Sequence, residues 1–299
     1  MLFLRKILKL FNQLDISIME YRSMADLTKI IKQNLYKVPT GIDLVVGVPR
    51  SGLLVANLIA LHLNLPLVDL EGFCEQRIFC GGERLIAGKS FSEVKNILVV
   101  EDSVLTGKSI KQAKSRIDGL FPEKRITYLA AFIVPDAISM VDLFFDVCPF
   151  PRVFEWNIMH HSFLAHCCVD IDGVLCYDPE EAENDDGENY LSFLKNPKLL
   201  ARPTKIIGCL VTNRLEKYRS LTEDWLAMNN IIYDRLVMMD LPTGQARQRL
   251  NAYAEFKALA YLRYNAELFI ESSLWQAKMI SELSGKPVYC VESNQMIVA

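Results

Sequence analysis

Two pairs of carboxylates, each at the end of an apolar run, carry the chemistry open to this chain. In "ILVVEDSVLTGKSI", residues 97–110, a strand-like segment runs into Glu101 and Asp102 and then into Thr106, Gly107, Lys108 and Ser109. Small residues around a glycine at the opening of a helix present main-chain N–H groups, which suit a phosphate. Carboxylates repel phosphate but accept hydrogen bonds from hydroxyls, so the acidic pair suits a polyol beside it. One phosphate next to two vicinal hydroxyls is the pattern of a ribose 5-phosphate. In "CCVDIDGVLC", residues 167–176, a second apolar run ends in Asp170 and Asp172, with a glycine following. A calcium loop needs more oxygen ligands than Val174, Leu175 and Cys176 supply, so that reading is poor.

Such groups need a scaffold that exposes strand ends. From Ile42, apolar strand runs alternate with segments of helical period, and the series resumes at His166. That alternation indicates parallel sheets covered on both faces, so the expected fold is α/β with two doubly wound domains. In open parallel sheets, ligands sit outside the carboxyl ends of the strands. The chain has 299 residues, enough for two domains, with 51% hydrophobic and 23% charged residues. The boundary falls in "CPFPRVFEWNIMHHSFLAH", residues 148–166, which gives expected domains at residues 1–160 and 161–299. A net charge of -3 offers no overall basic field for nucleic acid. The eight cysteines include no CxxC pair, and His160, His161 and His166 have no fourth partner at metal-ligand spacing. The expectation is a reduced, cytoplasmic protein. "MLFLRKILKLF" at residues 1–11 reads as a short amphipathic helix that docks on the domain surface, with peripheral membrane contact as the alternative. The acidic stretch 178–189 is expected to be a solvated loop, and its place after Asp172 also makes it a candidate cap.

Around the first acidic pair the sequence resembles the type I phosphoribosyltransferases over about residues 20–160. "ILVVEDSVLTGKSI" matches their phosphoribosyl pyrophosphate (PRPP) signature, "VPRSG" at 48–52 their pyrophosphate loop, and the stretch between them their mobile catalytic loop. The resemblance implies that Glu101 and Asp102 hold the ribose hydroxyls while Ser103, Val104, Leu105, Thr106, Gly107, Lys108 and Ser109 cradle the 5-phosphate. Arg50, Ser51 and Gly52 would meet the pyrophosphate, and Arg77 or Arg84 would close over it. A P-loop NTPase is excluded because its first glycine would fall at Asp102. Phe154 and Trp156 offer flat faces for an acceptor sugar, or else pack the domain junction.

Around the second pair the order of motifs resembles the haloacid dehalogenase-like phosphatases, over about 163–299. "CLVTN" ends at Thr212 and Asn213, "EFKALAY" offers Lys257, and "LFIESS" contains Glu271. The resemblance implies Asp170 as nucleophile, Asp172 as general acid and base, Thr212 as a hydrogen-bond donor to the phosphate and Lys257 as the positive anchor. It also implies Mg²⁺ held by Asp170, Asp172 and Glu271, under a small cap. Ser272 and Ser273 stand where the family often has a second acid.

A phosphatase fused to a nucleotide salvage enzyme would strip the phosphate just installed. Transfer of an unphosphorylated ribose needs both steps. The pairing resembles two-module enzymes that install β-ribofuranose in bacterial surface glycans. It implies PRPP as donor, a glycan acceptor that is lipid-linked, and Mg²⁺. An enzyme of nucleobase metabolism and a PRPP-sensing module remain as alternatives.

Overall fold

A computed structural model describes residues 19–79, 83, 85, 89–184 and 186–299. The expected amphipathic helix at residues 1–11 lies outside the described residues. The chain divides into two compact units. One is Arg22–Trp156; the other is Asn157–Ala299, joined by the described residues that precede Arg22.

In the first unit, helix α1 (Met24–Asn34) is followed by β1 (Leu44–Gly47), α2 (Gly52–Leu63), β2 (Leu67–Asp69), α3 (Leu70–Cys74), β3 (Asn96–Val104), α4 (Lys108–Ile117), β4 (Arg125–Ile133) and β5 (Leu143–Val147). The five strands are parallel in the order β2-β1-β3-β4-β5. Successive side chains of a strand point to opposite faces, and β3 shows why its sequence is a continuous apolar run. Leu98 and Val100 pack with Leu27 and Ile31 of α1 and Val55 and Ile59 of α2. Ile97 and Val99 pack on the other face with Ala113 and Ile117 of α4. Helices therefore cover both faces, as a parallel sheet requires.

The second unit begins with β6 (Cys167–Val169) and continues through α5 (Glu188–Lys195), β7 (Ile207–Leu215), α6 (Arg219–Met228), β8 (Tyr233–Met239), α7 (Gly244–Leu250), α8 (Tyr253–Arg263), β9 (Leu268–Glu271), α9 (Leu274–Ser284), β10 (Val288–Cys290) and β11 (Gln295–Ile297). The strand order is β8-β7-β6-β9-β10-β11, and only β11 is antiparallel to its neighbour. Val169 and Ile270 pack with Trp225 and Leu226 of α6, while Cys168 and Phe269 pack with Ala258 and Tyr261 of α8. Both units are thus doubly wound α/β sheets. The cysteines at 167, 168 and 209 serve as small apolar residues in these cores, and there is no disulfide among the described residues. No described helix is long and apolar enough to cross a membrane.

Candidate active sites

The chain leaves β1 for β2 on one side of the first sheet and leaves β3 for β4 on the other. The crevice beyond the carboxyl ends of β1 and β3 is therefore the point where strand order reverses, the usual ligand position in such sheets. The two segments singled out by sequence meet there. Residues 48–51 follow β1, and the Val48 amide donates to Val100 O at 2.9 Å. A Cβ on Gly52 would come within 2.7 Å of Val100 O, so glycine lets α2 start this close to β3. Arg50 is exposed at the tip of this turn, Ser51 is half-buried, and the Pro49–Arg50 peptide is cis. After β3, Leu105 and Thr106 are exposed, and Gly107 caps α4 at φ +72°. A side chain at Gly107 would strike Met140, so that position needs glycine for both its dihedral and its space. Val104 is buried in an apolar cluster and offers only its main chain to a ligand.

Glu101 and Asp102 are 6% and 5% exposed. Glu101 Oε2 is buried with no hydrogen-bond partner. Burial and the neighbouring Asp102 charge push the Glu101 carboxyl up to about 9. Asp102 Oδ2 accepts from the Trp156 indole N–H at 2.8 Å. The Ser109 side chain and the Asp102 backbone also hydrogen-bond the Glu101 carboxyl, yet Oε2 remains without a donor, which a ligand hydroxyl would supply.

The geometry separates the two rings expected to stack on a sugar. Phe154 is buried between Phe132, at 5.3 Å, and Trp156, at 4.9 Å and 17°. It is a core residue, which corrects the expectation that its face is open. Trp156 keeps some surface, and its link to Asp102 went unseen in the sequence because the two lie 54 positions apart. Arg77 is exposed and paired with Glu75, with Nε to Oε2 at 2.8 Å. Arg84 lies outside the described residues.

The second site is set by strand register. Val169 of β6 pairs with Ile270 of β9 and with Leu210 of β7, so the residues just beyond them converge. Asp170, Thr212 and Glu271 come together at these ends, all buried. Lys257 reaches in from α8, 1% exposed. Its ammonium donates to Asp170 Oδ2 at 2.6 Å and to Glu271 Oε2 at 2.8 Å. Gly173, at φ +72°, turns the chain away; a Cβ there would lie 2.4 Å from that of Ser272. Burial pushes the Asp170 carboxyl up, with Glu271 and Asp172 adding to the rise, while the Lys257 ammonium at 2.6 Å pulls it back toward the ionised form that the ion pair requires.

Asp172 has a partner that the sequence reading missed. Arg214 Nε lies 3.0 Å from its Oδ2 and Arg214 Nη2 lies 2.6 Å from its Oδ1, a bidentate pair. Burial alone would raise the Asp172 carboxyl, but the guanidinium outweighs burial and holds it below the ordinary carboxylate range. The pairing favours the ionised form, in which Asp172 can accept a proton. Arg214 stands two residues after Thr212 on the same strand, and that period-two placement was the available signal.

The three acids expected to hold Mg²⁺ do not form a cage. The Lys257 ammonium stands between Asp170 and Glu271, Glu271 Oε1 accepts from the Ser273 amide, and Asp172 is taken by Arg214. Among the described residues, no group of three or more His, Cys, Asp or Glu side chains is arranged to hold a metal. The donor set does not fit that ion as expected, and Glu271 is the counter-ion of Lys257.

A pocket of ≈ 150 Å³ opens over this cluster, lined by Asp170, Asp172, Lys257, Asp178, Asn213, Arg214, Arg247 and others. The stretch 178–189, expected as a solvated loop or cap, contributes Asp178, Pro179 and Asn184 to it. Asp186 ties this segment down, accepting from the Gly244 amide at 2.7 Å and from Tyr218 and Lys217. Most of the stretch is exposed, as a solvated loop would be, while Asp178, Pro179 and Asn184 roof the pocket.

No family model matches the chain, and no curated protein matches it. Among solved structures, it is similar to the Helicobacter pylori xanthine-guanine-hypoxanthine phosphoribosyltransferase. The match has 20% identity and a TM-score of 0.35 over 47% of this chain and 93% of that one. It is also similar to a purine phosphoribosyltransferase from Pyrococcus horikoshii, with 20% identity and a TM-score of 0.34 over 46% and 92%. A chain of a Pnkp1/Rnl/Hen1 complex matches over 83% of this chain and 94% of that one, with 17% identity and a TM-score of 0.29. Likenesses this distant leave the chemistry to be argued from the residues.

Proposed function

We propose that Arg22–Trp156 transfers a 5-phosphoribosyl group from PRPP to a hydroxyl of a glycan, and that Asn157–Ala299 then removes the phosphate. One observation carries the reading: a single chain holds both a crevice with the buried Glu101–Asp102 pair beside the Gly107 turn and a buried Asp170–Lys257 pair under a pocket. A salvage enzyme has no use for the second, whereas net transfer of ribose uses both.

In the first step the bond from C1 to the pyrophosphate oxygen breaks, and the pyrophosphate leaves with its electron pair. The acceptor oxygen bonds to C1 from the opposite face and its proton passes to the departing pyrophosphate, so an α donor gives a β product. Glu101 and Asp102 hold the ribose hydroxyls, and the amides around Gly107 hold the 5-phosphate. Arg50 faces the leaving group, where a guanidinium stabilises developing negative charge. Mg²⁺ enters with PRPP, as part of the donor.

In the second step an Asp170 oxygen attacks phosphorus, the bond from phosphorus to the sugar oxygen breaks, that oxygen takes a proton from water in the open pocket and leaves as the alcohol, and an acyl phosphate forms. Water then attacks that phosphate and regenerates the carboxylate, which splits one hard displacement into two easier ones. Lys257 and Thr212 steady the phosphoryl oxygens. Asp172, kept ionised by Arg214, takes the proton of the attacking water.

Two variants test the reading. Asp102→Asn should stop pyrophosphate release from PRPP while phenyl phosphate is still hydrolysed. Asp170→Asn should leave the acceptor heavier than the wild-type product by one phosphate, read by mass spectrometry. Plain ribosylated acceptor from the purified Asp170 variant would sink the coupled scheme.

A further inference from the structure

The pocket over Asp170 contains two polar atoms that the protein leaves unsatisfied. Arg247 Nε and Asn213 Oδ1 are buried without a hydrogen-bond partner, and both residues line that pocket. The rest of each side chain is fixed. Arg247 Nη1 donates to Asn213 O at 3.0 Å, and Nη2 donates to Asn184 Oδ1 at 3.3 Å in the roofing segment. Asn213 Nδ2 donates to Gln276 Oε1 at 3.1 Å. One free donor and one free acceptor are therefore held by neighbouring, anchored groups. A buried polar atom left unpaired costs about 1–3 kcal/mol, so such atoms imply a missing partner.

The chemistry of that partner follows from the pair. A phosphate dianion offers acceptors only; it would satisfy Arg247 Nε and leave Asn213 Oδ1 facing another negative oxygen. A hydroxyl satisfies both, accepting from Nε–H and donating to Oδ1. Phosphate belongs beside Lys257 and Asp170, which line the same pocket. We propose that Arg247 and Asn213 form a hydroxyl-binding subsite that reads the sugar of a sugar phosphomonoester whose phosphate lies at Asp170. This rests on the reading of Asp170 as a phosphatase nucleophile, and it narrows the substrate to phosphate esters of polyols. Asn213 stands next to Thr212 and Arg247 bridges to the roof, so the subsite is built from both walls of the pocket.

The test compares ribose 5-phosphate with phenyl phosphate, which carries no hydroxyl. The unaltered protein should favour the sugar ester in kcat/KM by about 10-fold or more, what one net hydrogen bond contributes. Arg247→Lys keeps the charge and removes Nε; Asn213→Ser removes the acceptor. Each should lower the ratio of the two kcat/KM values about 10-fold. A ratio within twofold of wild type in both variants, or wild type without preference, overturns the subsite. Binding to the Asp170→Asn protein separates this from the parent reading. There, ribose 5-phosphate should bind more tightly than inorganic phosphate, and Arg247→Lys should erase the margin. If the wild type hydrolyses neither ester but the margin exists, the phosphatase reading falls and the subsite stands. If no margin exists, the subsite falls whatever the hydrolysis shows.

Discussion

Replacing Arg214 by Met gives a direct measure of how the second unit holds its acids. The Arg214 side chain is fully buried and Asp172 is 20% exposed, so Met removes the charge partner while filling similar space. It also removes the donors to Thr222 and Cys176. Breaking a buried ion pair by deleting one partner costs about 3–5 kcal/mol. The pocket wets Asp172, which scales the expected loss to about 2–4 kcal/mol. Urea unfolding followed through the buried Trp225 reads this loss. A second substitution, Asp172→Asn, should recover at least half of it, because a buried amide costs less than an unpaired carboxylate. The pH dependence changes sign. In the wild type the lowered Asp172 pKa adds stability above its unfolded value, lost as pH falls through the folded one. Without Arg214 only burial and neighbouring charges remain, the pKa rises, and the variant loses stability as pH increases. The gap between variant and wild type should therefore widen from about pH 5 to about pH 8. A loss under about 1 kcal/mol, or no recovery in the double variant, would refute the pairing as the element that permits Asp172 to be ionised there.

Glu101, raised to about 9, gives the first unit a stability fully present below its unfolded value near 4.5 and lost as pH climbs through 9. Glu101→Gln should flatten that slope, and melting temperatures between about pH 6 and about pH 9 check it. Trp156→Phe keeps the stack on Phe154 but removes the N–H that Asp102 accepts. Hydrogen bonds to charged groups contribute about 1.5–3 kcal/mol, so pyrophosphate release at limiting PRPP should fall about 10-fold with phenyl phosphate hydrolysis unchanged.

What the sequence disclosed and what it hid divide by the range of the interaction. Parallel strands covered on both faces write themselves as unbroken apolar runs, so β3 and β6 and the acids at their ends were visible. Gly107 was visible because a positive φ at a helix start selects glycine locally. Partners supplied from a distance were not. Arg214 meets Asp172 across 42 positions and Trp156 meets Asp102 across 54, and neither carries a spacing rule. The acidic stretch 178–189 is mostly exposed, as its charge density implies, but one acid in it is not simply solvated. Asp186 instead buys its place as a tether through the Gly244 amide and Tyr218. Phe154 misled, since an aromatic near a motif reads the same whether its face is open or packed on Phe132.

The two sites also balance charge differently, and the difference matches what each would bind. In the first, Glu101 has an oxygen with no donor, and Asp102 accepts from a neutral indole. Acids left in that state wait for neutral donors, as vicinal hydroxyls are. In the second, each buried acid already has a cation within the unit: Lys257 between Asp170 and Glu271, and Arg214 on Asp172. Without those cations a phosphate dianion would enter against three carboxylates, a repulsion that low-dielectric surroundings amplify. With them, Asp170 can stand beside a phosphoryl group as its nucleophile. Internal cations therefore belong where the ligand is an anion next to an attacking carboxylate, and missing donors belong where the ligand brings its own.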